Sequence, residues 1–240
     1  MLHRYRSAMV LSGMDKLSGI VEVDEVFLGG VRAGPRGRGA LGKVLVMIAV
    51  ARHDPKGFGR TRMRVIPDAR AETIKQFLLD CVESGSTIVT DGHQSYPGAT
   101  QGIYTHEAHA VKPSGKRAHT MVPAVHRVAS LLKRWFLGNY QGSHHRDHLD
   151  AYLAEFTFQW NRRKSPDRGL LFYRLMSLAV IAPPLRYDDI VKNPRAKPIP
   201  ATRYPLPATR YPLPATKRVR PKSLSIPEPQ RPWRTSTQAP

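Results

Sequence analysis

Two carboxylates set in apolar β-runs constrain the fold of this chain more than any other feature of its sequence. Asp24 stands in the middle of the run at residues 19–30, and Asp91 lies near the end of the run at residues 86–92, next to Gly92. A lone carboxylate in a hydrophobic strand is costly to bury unless a cation or a hydrogen-bond network satisfies it. Paired metal ions would satisfy both aspartates, and rigid strands are where the ligands of such a site are expected.

The apolar pattern changes its period in an order that indicates the fold class. Strands are predicted in series at 19–28, 44–51 and 62–66, followed by a helix at 71–82 and a short buried strand at 87–90. A short strand at 103–106 and three helices at 124–136, 147–163 and 169–181 complete the pattern. This order is typical of an α/β, ribonuclease-H-like fold, a mixed sheet flanked by helices. In that fold the fourth strand lies beside a central first strand, which would bring Asp24 and Asp91 to one pair of divalent ions.

The charge of the chain points to nucleic acid as its partner. It has 38 Lys and Arg against 18 Asp and Glu, a formal net charge of +20, and an excess of this kind favours a polyanionic partner. We find no apolar run of about 18 residues and no signal segment at the start, which argues against a membrane protein and predicts a cytoplasmic, nucleoid-associated one. The single cysteine, Cys81, excludes disulfides and cysteine zinc clusters within one chain and is predicted to lie in the core.

The C-terminal segment at residues 191–240 differs in composition from the rest. It holds 12 of the 21 prolines and a single acidic residue, Glu228, and its residues 203–209 repeat directly as 210–216. A segment so rich in proline and positive charge has too little apolar surface to build a core. We expect a disordered, basic, proline-rich tail that follows one domain at residues 18–190.

Three blocks of the chain resemble one known family. The first two, at residues 19–25 and 90–96, surround the two aspartates, and the third is the most specific. The third block comprises residues 126–135, Gly138, Tyr140, 148–149, 152–153, 155–156 and 161–163. Together the blocks resemble a DDE-type insertion-sequence transposase of the ISXO-like branch, over roughly residues 1–190.

The resemblance implies a catalytic role for four residues. Asp24 and Asp91 match the first two metal-binding aspartates of the family, and His126 stands where the family usually has its third acidic ligand, with 34 residues between Asp91 and His126. The implied cofactors are two divalent ions, Mg²⁺ or Mn²⁺, and a neutral imidazole suits Mn²⁺ better than Mg²⁺. Lys133 lies seven residues after His126, on nearly the same helical face, and would hold the scissile phosphate. Its neighbour Arg134 is a predicted DNA contact.

Further DNA contacts are predicted in a Gly/Arg loop. Arg32, Arg36 and Arg38 would neutralise phosphates there, while the glycines between them let the backbone approach the DNA. Arginines 60, 62 and 64 alternate on the third strand and predict a second basic face. The resemblance also implies a homo-oligomer assembled on the element ends and on the target DNA.

Several acidic residues and histidines are alternative ligands. Alternation places Glu22 on the face of Asp24 and Glu25 on the other face, where a surface or supporting role is expected. Glu155 and Asp147 are alternatives to His126 as the third ligand, but ordinary solvated or salt-bridged positions are the favoured interpretation of both. A zinc site at His144 and His148 needs a helix that begins before Gly142 and Ser143, and a polar loop is the favoured reading.

The resemblance also bears on how complete the element is. Residues 1–17 resemble the end of a linker helix that follows a zinc ribbon in the family, and the tail matches nothing in it. We therefore expect a truncated copy. Two alternatives to a working transposase remain: a catalytically inactive nucleic-acid-binding remnant, and a ribonuclease-H-like nuclease that cuts without rejoining.

Overall fold

The computed structural model describes seven stretches of the chain. They are residues 2–11, 15–29, 43–53, 57–109, 122–140, 148–184 and 186–191. The chain divides into two compact units, Met1–Arg203 and Tyr204–Pro240, and every described residue belongs to the first. Arg32, Arg36, Arg38, His144, Asp147 and the tail after Val191 lie outside the described residues, so the expectations stated for them stay predictions.

Five strands and seven helices make up the described part of the chain. The strands are β1 (Ile20–Leu28), β2 (Val44–Arg52), β3 (Phe58–Ile66), β4 (Thr87–Thr90) and β5 (Thr105–Ala108). The helices are α1 (Leu2–Leu11), α2 (Ala71–Cys81), α3 (Tyr96–Thr100), α4 (Pro123–Tyr140), α5 (Leu149–Asn161), α6 (Arg168–Ile181) and α7 (Tyr187–Val191). The short helix α3 has no counterpart in the predicted elements, and β3 begins four residues earlier than predicted.

The strands form one mixed sheet in the order β3-β2-β1-β4-β5. The pairs β1–β2 and β2–β3 are antiparallel, as a meander requires, whereas β1–β4 and β4–β5 are parallel. The first strand is central and the fourth lies directly beside it. The predicted α/β, ribonuclease-H-like mixed sheet flanked by helices is therefore confirmed.

Strand β1 divides its side chains between the two faces of the sheet. Val21 and Val23 pack in a core cluster with α2, where Cys81 is also buried as predicted. Val26 and Leu28 pack on the other face, in a cluster built with α4 and α5. This period of two follows from the pleat of a strand, and it places Glu22 and Asp24 on the α4 face.

Residues at the end of α5 cover the outer strand β3. The side chain of Asn161 accepts from the backbone N–H of Thr61 at 2.8 Å and donates to the Thr61 carbonyl at 3.1 Å. The Trp160 indole N–H donates to the Gly59 carbonyl at 3.1 Å, and Arg163 also donates to that carbonyl. An unpaired sheet edge is a template for association with other strands. Residues 161–163, the last part of the third block, therefore have a structural role, because they satisfy backbone groups of this edge strand.

The arginines of β3, which were predicted to form a second basic face, each bind an oxygen of the protein itself. Arg60 forms an ion pair with Asp15 at 2.9 Å, and Arg64 forms one with Asp80 at 2.7 Å. Arg62 is 6% exposed and donates to the Asp15 carbonyl. The three guanidinium groups attach residue 15 and α2 to the sheet because each finds an oxygen of the protein within reach.

Helix α1 is fastened to the body of the domain by a buried arginine. Arg6 forms an ion pair with Glu155 of α5 at 2.7 Å, donates to the Tyr140 hydroxyl at 2.8 Å and lies over the Tyr152 ring at 4.6 Å. Its side chain is 8% exposed. Glu155 is therefore a salt-bridged residue, as the favoured interpretation predicted, rather than a third metal ligand.

We expect Arg6→Met to destabilise the protein by roughly 2–4 kcal/mol, because removal of one partner from a buried ion pair leaves the other charge uncompensated. Arg4→Met, at an exposed position of the same helix, is the matched control and should change stability little. Urea unfolding followed by circular dichroism measures both. Equal effects of the two variants would show that Arg6 does not fasten α1.

Candidate active site

The parallel pairing of β1 with β4 sets the two aspartates side by side. Paired positions are Ile20 with Thr87, Val21 with Ile88, and Glu22 with Val89. Two residues further along, the same register sets Asp24 level with Asp91, which follows the last residue of β4. Neighbouring strands lie about 4.8 Å apart, so the two predicted ligands are brought together on adjacent backbones.

A tight turn orients Asp91 at the end of its strand. Gly92 adopts a φ of 85°, in the left-handed region that glycine enters without steric penalty. The Asp91 Oδ1 accepts from the backbone N–H of His93 at 3.2 Å, and the Thr90 hydroxyl accepts from the N–H of Gly92 at 3.2 Å. The strand therefore ends in a hydrogen-bonded turn that fixes the direction of the carboxylate.

The electrostatics of Asp24 reflect an arrangement of like charges. Burial and, next in size, the negative charge of Asp91 raise the pKa of Asp24 from 3.8 to about 7. The backbone N–H of Glu25, which donates to Asp24 Oδ1 at 2.7 Å, and the positive charge of Lys133 lower that pKa. Two facing carboxylates in a partly buried place favour a proton or a cation between them.

A buried tyrosine closes the site from the α2 face of the sheet. Tyr96, the first residue of α3, is 0% exposed, and its ring stacks on His106 with the centroids 6.1 Å apart. Burial and the charges of Glu25, Asp24 and Asp91 raise the pKa of Tyr96 well above its ordinary value. Glu25 thus has a supporting position beside Tyr96, on the face of β1 opposite to Asp24. Tyr96 ends the second block at residues 90–96, but the sequence pattern gave it no role, because its ring is brought to the site only by the turn after Asp91.

Helix α4 carries the other predicted residues past the aspartates. His126 is partly buried in its first turn, whereas Lys133 and Arg134 are exposed two turns later. The charge of Lys133 acts on Asp24, so the predicted lysine belongs to the same electrostatic cluster. Arg127 and Ser130 are also exposed on this helix, and α4 therefore presents basic side chains along one side.

The predicted third ligand is the least defined part of the site. Among the residues that the structure describes, no three His, Cys, Asp or Glu side chains converge closely enough to hold a metal ion. Asp24 and Asp91 form a pair, and the assignment of His126 as their companion stays a prediction. His148 lies against His3, with ring centroids 4.5 Å apart, at the junction of α1 and α5.

Glu22 is a site residue whose role sequence reasoning missed. Its side chain is fully buried on the face of β1 that carries Asp24, and its Oε2 accepts from the backbone N–H groups of Ala124 at 2.7 Å and Val125 at 3.1 Å. Burial raises the pKa of Glu22, while these two hydrogen bonds and the charge of Arg52 lower it. The signal in the sequence was Val122-Pro123 at the start of a helix, where the usual oxygen-bearing cap residue is missing.

Comparison with known proteins places the chain in a family. The model of the ISXO2-like transposase domain matches residues 16–161, a stretch that holds the whole sheet, α2 to α5 and both aspartates. None of the curated proteins matches the chain significantly. No helix in the described stretches is both long and apolar enough to cross a membrane. With the central first strand, the adjacent fourth strand and the paired carboxylates in place, the chain belongs to the ISXO2-like transposase domain family, a group of DDE-type transposases.

Proposed function

We propose that this protein catalyses metal-dependent cleavage and strand transfer of DNA, the chemistry that moves an insertion sequence. The observation that carries the proposal is the register of β1 and β4, which sets Asp24 level with Asp91 beside the positive charge of Lys133. DNA is the substrate that a chain with a net charge of +20 and a transposase domain would bind.

The residues present fit divalent cations. Carboxylate oxygens are the ligands that Mg²⁺ and Mn²⁺ prefer, and the Asp24–Asp91 pair holds negative charge that burial and mutual repulsion destabilise without a cation. Asp24, Asp91 and His126 are the residues that would hold the ions. Two such ions bound there would supply activation of a water or a 3′-hydroxyl and stabilisation of the leaving oxygen in an in-line phosphoryl displacement.

The side chains of this domain supply positioning and charge. The Lys133 ammonium is free to extend from the surface of α4 toward the carboxylate pair, where it would bind a nonbridging oxygen of the scissile phosphate. Arg134, one residue on, would hold a phosphate further along the strand. In the proposed function the loop residues Arg32, Arg36 and Arg38 add contacts to the DNA backbone, and a second copy of the protein engages the other element end.

We expect Asp24→Asn and Asp91→Asn each to abolish Mn²⁺-dependent nicking of supercoiled plasmid, because either change removes a charged ligand from the pair. Calorimetric titration with Mn²⁺ on the same samples should show binding lost together with nicking. Asp80→Asn, at a surface carboxylate paired with Arg64, is the control and should nick like the wild type.

Unchanged nicking in both aspartate variants would refute the site. If the wild type retains DNA regardless of divalent metal and never nicks it, the protein is an inactive DNA-binding remnant. Cut but unjoined products, found by gel analysis with a labelled donor end, would instead identify a ribonuclease-H-like nuclease.

We expect Asp24→Asn to stabilise the metal-free protein at neutral and alkaline pH. The pKa of Asp24 is about 7 in the folded state, against a reference value of 3.8. Between pH 3.8 and about 7 the folded state therefore binds a proton that the unfolded state has lost. Because of this difference, the stability of the wild type falls as the pH rises through that range. At pH 8 in EDTA the variant should be more stable by on the order of 1–3 kcal/mol, with a difference that vanishes near pH 4. Thermal unfolding at both pH values measures this.

Added Mn²⁺ should reverse that order at pH 8, since a ligand that binds only the folded state raises its stability. The wild type gains stability and Asp24→Asn does not. A variant that is less stable than the wild type at pH 8 in EDTA would show that the carboxylate pair is not under electrostatic strain.

We expect Lys133→Gln to lower the rate of nicking at saturating DNA by about tenfold to a hundredfold, because a cation on the scissile phosphate acts mainly on the reacting state. Arg134→Gln, at the neighbouring exposed position, should weaken DNA binding and reduce its salt dependence while it leaves the saturated rate nearly unchanged. Nicking rates over a range of DNA and salt concentrations distinguish the two. The same loss in both variants would assign Lys133 to general DNA binding.

A further inference from the structure

We infer that Glu22 is a positioning residue of this active site, whose carboxylate fastens the first turn of α4 to β1 and so sets where His126 and Lys133 stand relative to Asp24. The inference rests on the proposed function for its catalytic consequence, whereas the fastening itself is a property of the fold.

The contacts of Glu22 join two elements that are far apart in sequence. The side chain is 0% exposed, and a single oxygen, Oε2, accepts from the N–H groups of both Ala124 and Val125. The other oxygen, Oε1, lies 3.5 Å from the Nε of Arg52 on the neighbouring strand. Oε2 is therefore the oxygen that accepts hydrogen bonds, whereas Oε1 is buried with an ion-pair contact and no hydrogen bond among the described residues.

Helix α4 depends on an acceptor from outside its own segment. The first N–H groups of a helix have no partner within the helix and are usually satisfied by a side chain at the residue before it. That residue is Val122, which carries no side-chain oxygen, and Ala124 and Val125 are both fully buried, away from water. A carboxylate at this place satisfies two N–H groups and also interacts favourably with the positive end of the helix.

The same strand holds both the fastening point and the first aspartate. Asp24 follows Glu22 by two residues on the same face of β1, and β1 is paired with β2 on one side and β4 on the other. His126 directly follows Val125. Because β1 cannot shift within the sheet, the hydrogen bonds from Glu22 hold the start of α4 at one height along the strand, and Lys133 is held through the rigid helix.

A direct role as a metal ligand is the competing explanation for a carboxylate so near Asp24. The two roles differ in what they require of the side chain. A ligand needs the negative charge, whereas the fastening needs one acceptor oxygen at the place of Oε2. Glu22→Gln keeps such an oxygen and removes the charge, and Glu22→Met keeps the shape and removes the acceptor.

The test compares Glu22→Gln and Glu22→Met in the full chain by amide hydrogen exchange, Mn²⁺ calorimetry and plasmid nicking. Glu107→Met is the matched control. Glu107 is an exposed residue of β5 that pairs with Val89, and Val89 in turn pairs with Glu22, so the two glutamates lie at the same level across the sheet. In Glu22→Met we expect the amides of Ala124 and Val125 to exchange about tenfold faster, the scale of a lost helix cap, while the amides of β1 and α2 keep their protection.

The catalytic readouts should separate in the same variants. In Glu22→Met the turnover of nicking should fall by about tenfold, because the reacting groups lose their orientation, with the KM for DNA and the Mn²⁺ affinity close to those of the wild type. Glu22→Gln should keep the wild-type protection of the Ala124 and Val125 amides from exchange, and it should keep most of the wild-type turnover. If Glu22→Met proves unfolded, Glu22→Asp takes its place, since it draws the carboxylate back by one methylene and should speed exchange at the same two amides.

Two results would overturn the inference. Unchanged exchange at Ala124 and Val125 in Glu22→Met would show that Glu22 does not fasten α4, and loss of Mn²⁺ affinity in Glu22→Gln would make Glu22 a ligand. Failure of the proposed function gives a different pattern, in which the wild type does not nick or Asp24→Asn nicks normally. The exchange experiment needs no catalysis and still decides whether the carboxylate holds the helix.

Discussion

The parallel pairing of β1 with β4 is the constraint on which the rest of this structure depends. It sets Asp24 and Asp91 at one level on adjacent strands, where burial and like charge raise the proton affinity of Asp24. Such an arrangement destabilises a fold unless a cation compensates it, and strained charges of this kind are typical of functional sites. Other elements pack on both faces of the strand that carries Asp24.

The support comes from both faces of the sheet. On one face Tyr96 is buried beside Glu25 and stacks on His106. On the other face α4 packs on β1 and β2. The buried carboxylate of Glu22 accepts hydrogen bonds from the first backbone N–H groups of α4. Under the proposed function, two polar residues on one face of β1 thus have separate roles: Glu22 holds α4, and Asp24 binds a metal ion. The separation follows from their surroundings, since Glu22 meets helix N–H groups and Asp24 meets another carboxylate.

Much of the fold could be read from local pattern, and the failures have identifiable causes. The period of two in β1 and the helical spacing of α2 were sufficient because one face of each element is apolar and buried. Helix α3 was missed because five residues that include Pro97 and Gly98 have no clear period. The arginines of β3 were placed on the correct strand, but their partners Asp15 and Asp80 are distant in sequence, so alternation alone could not distinguish paired from free guanidinium groups.

The sequence by itself determined the order of the elements, the position of each aspartate in its strand and the excess of positive charge, because these depend on residue types at short spacing. The order of the elements predicted that Asp24 and Asp91 meet, but the tertiary structure alone decided the register that sets them level, the capping of α4 by Glu22 and the burial of Tyr96 beside the carboxylates. Each of these is a contact between segments that lie far apart along the chain or across a turn, and its energy depends on the burial and charge of both partners. No local pattern records such surroundings, since they exist only once the sheet and its helices have packed together.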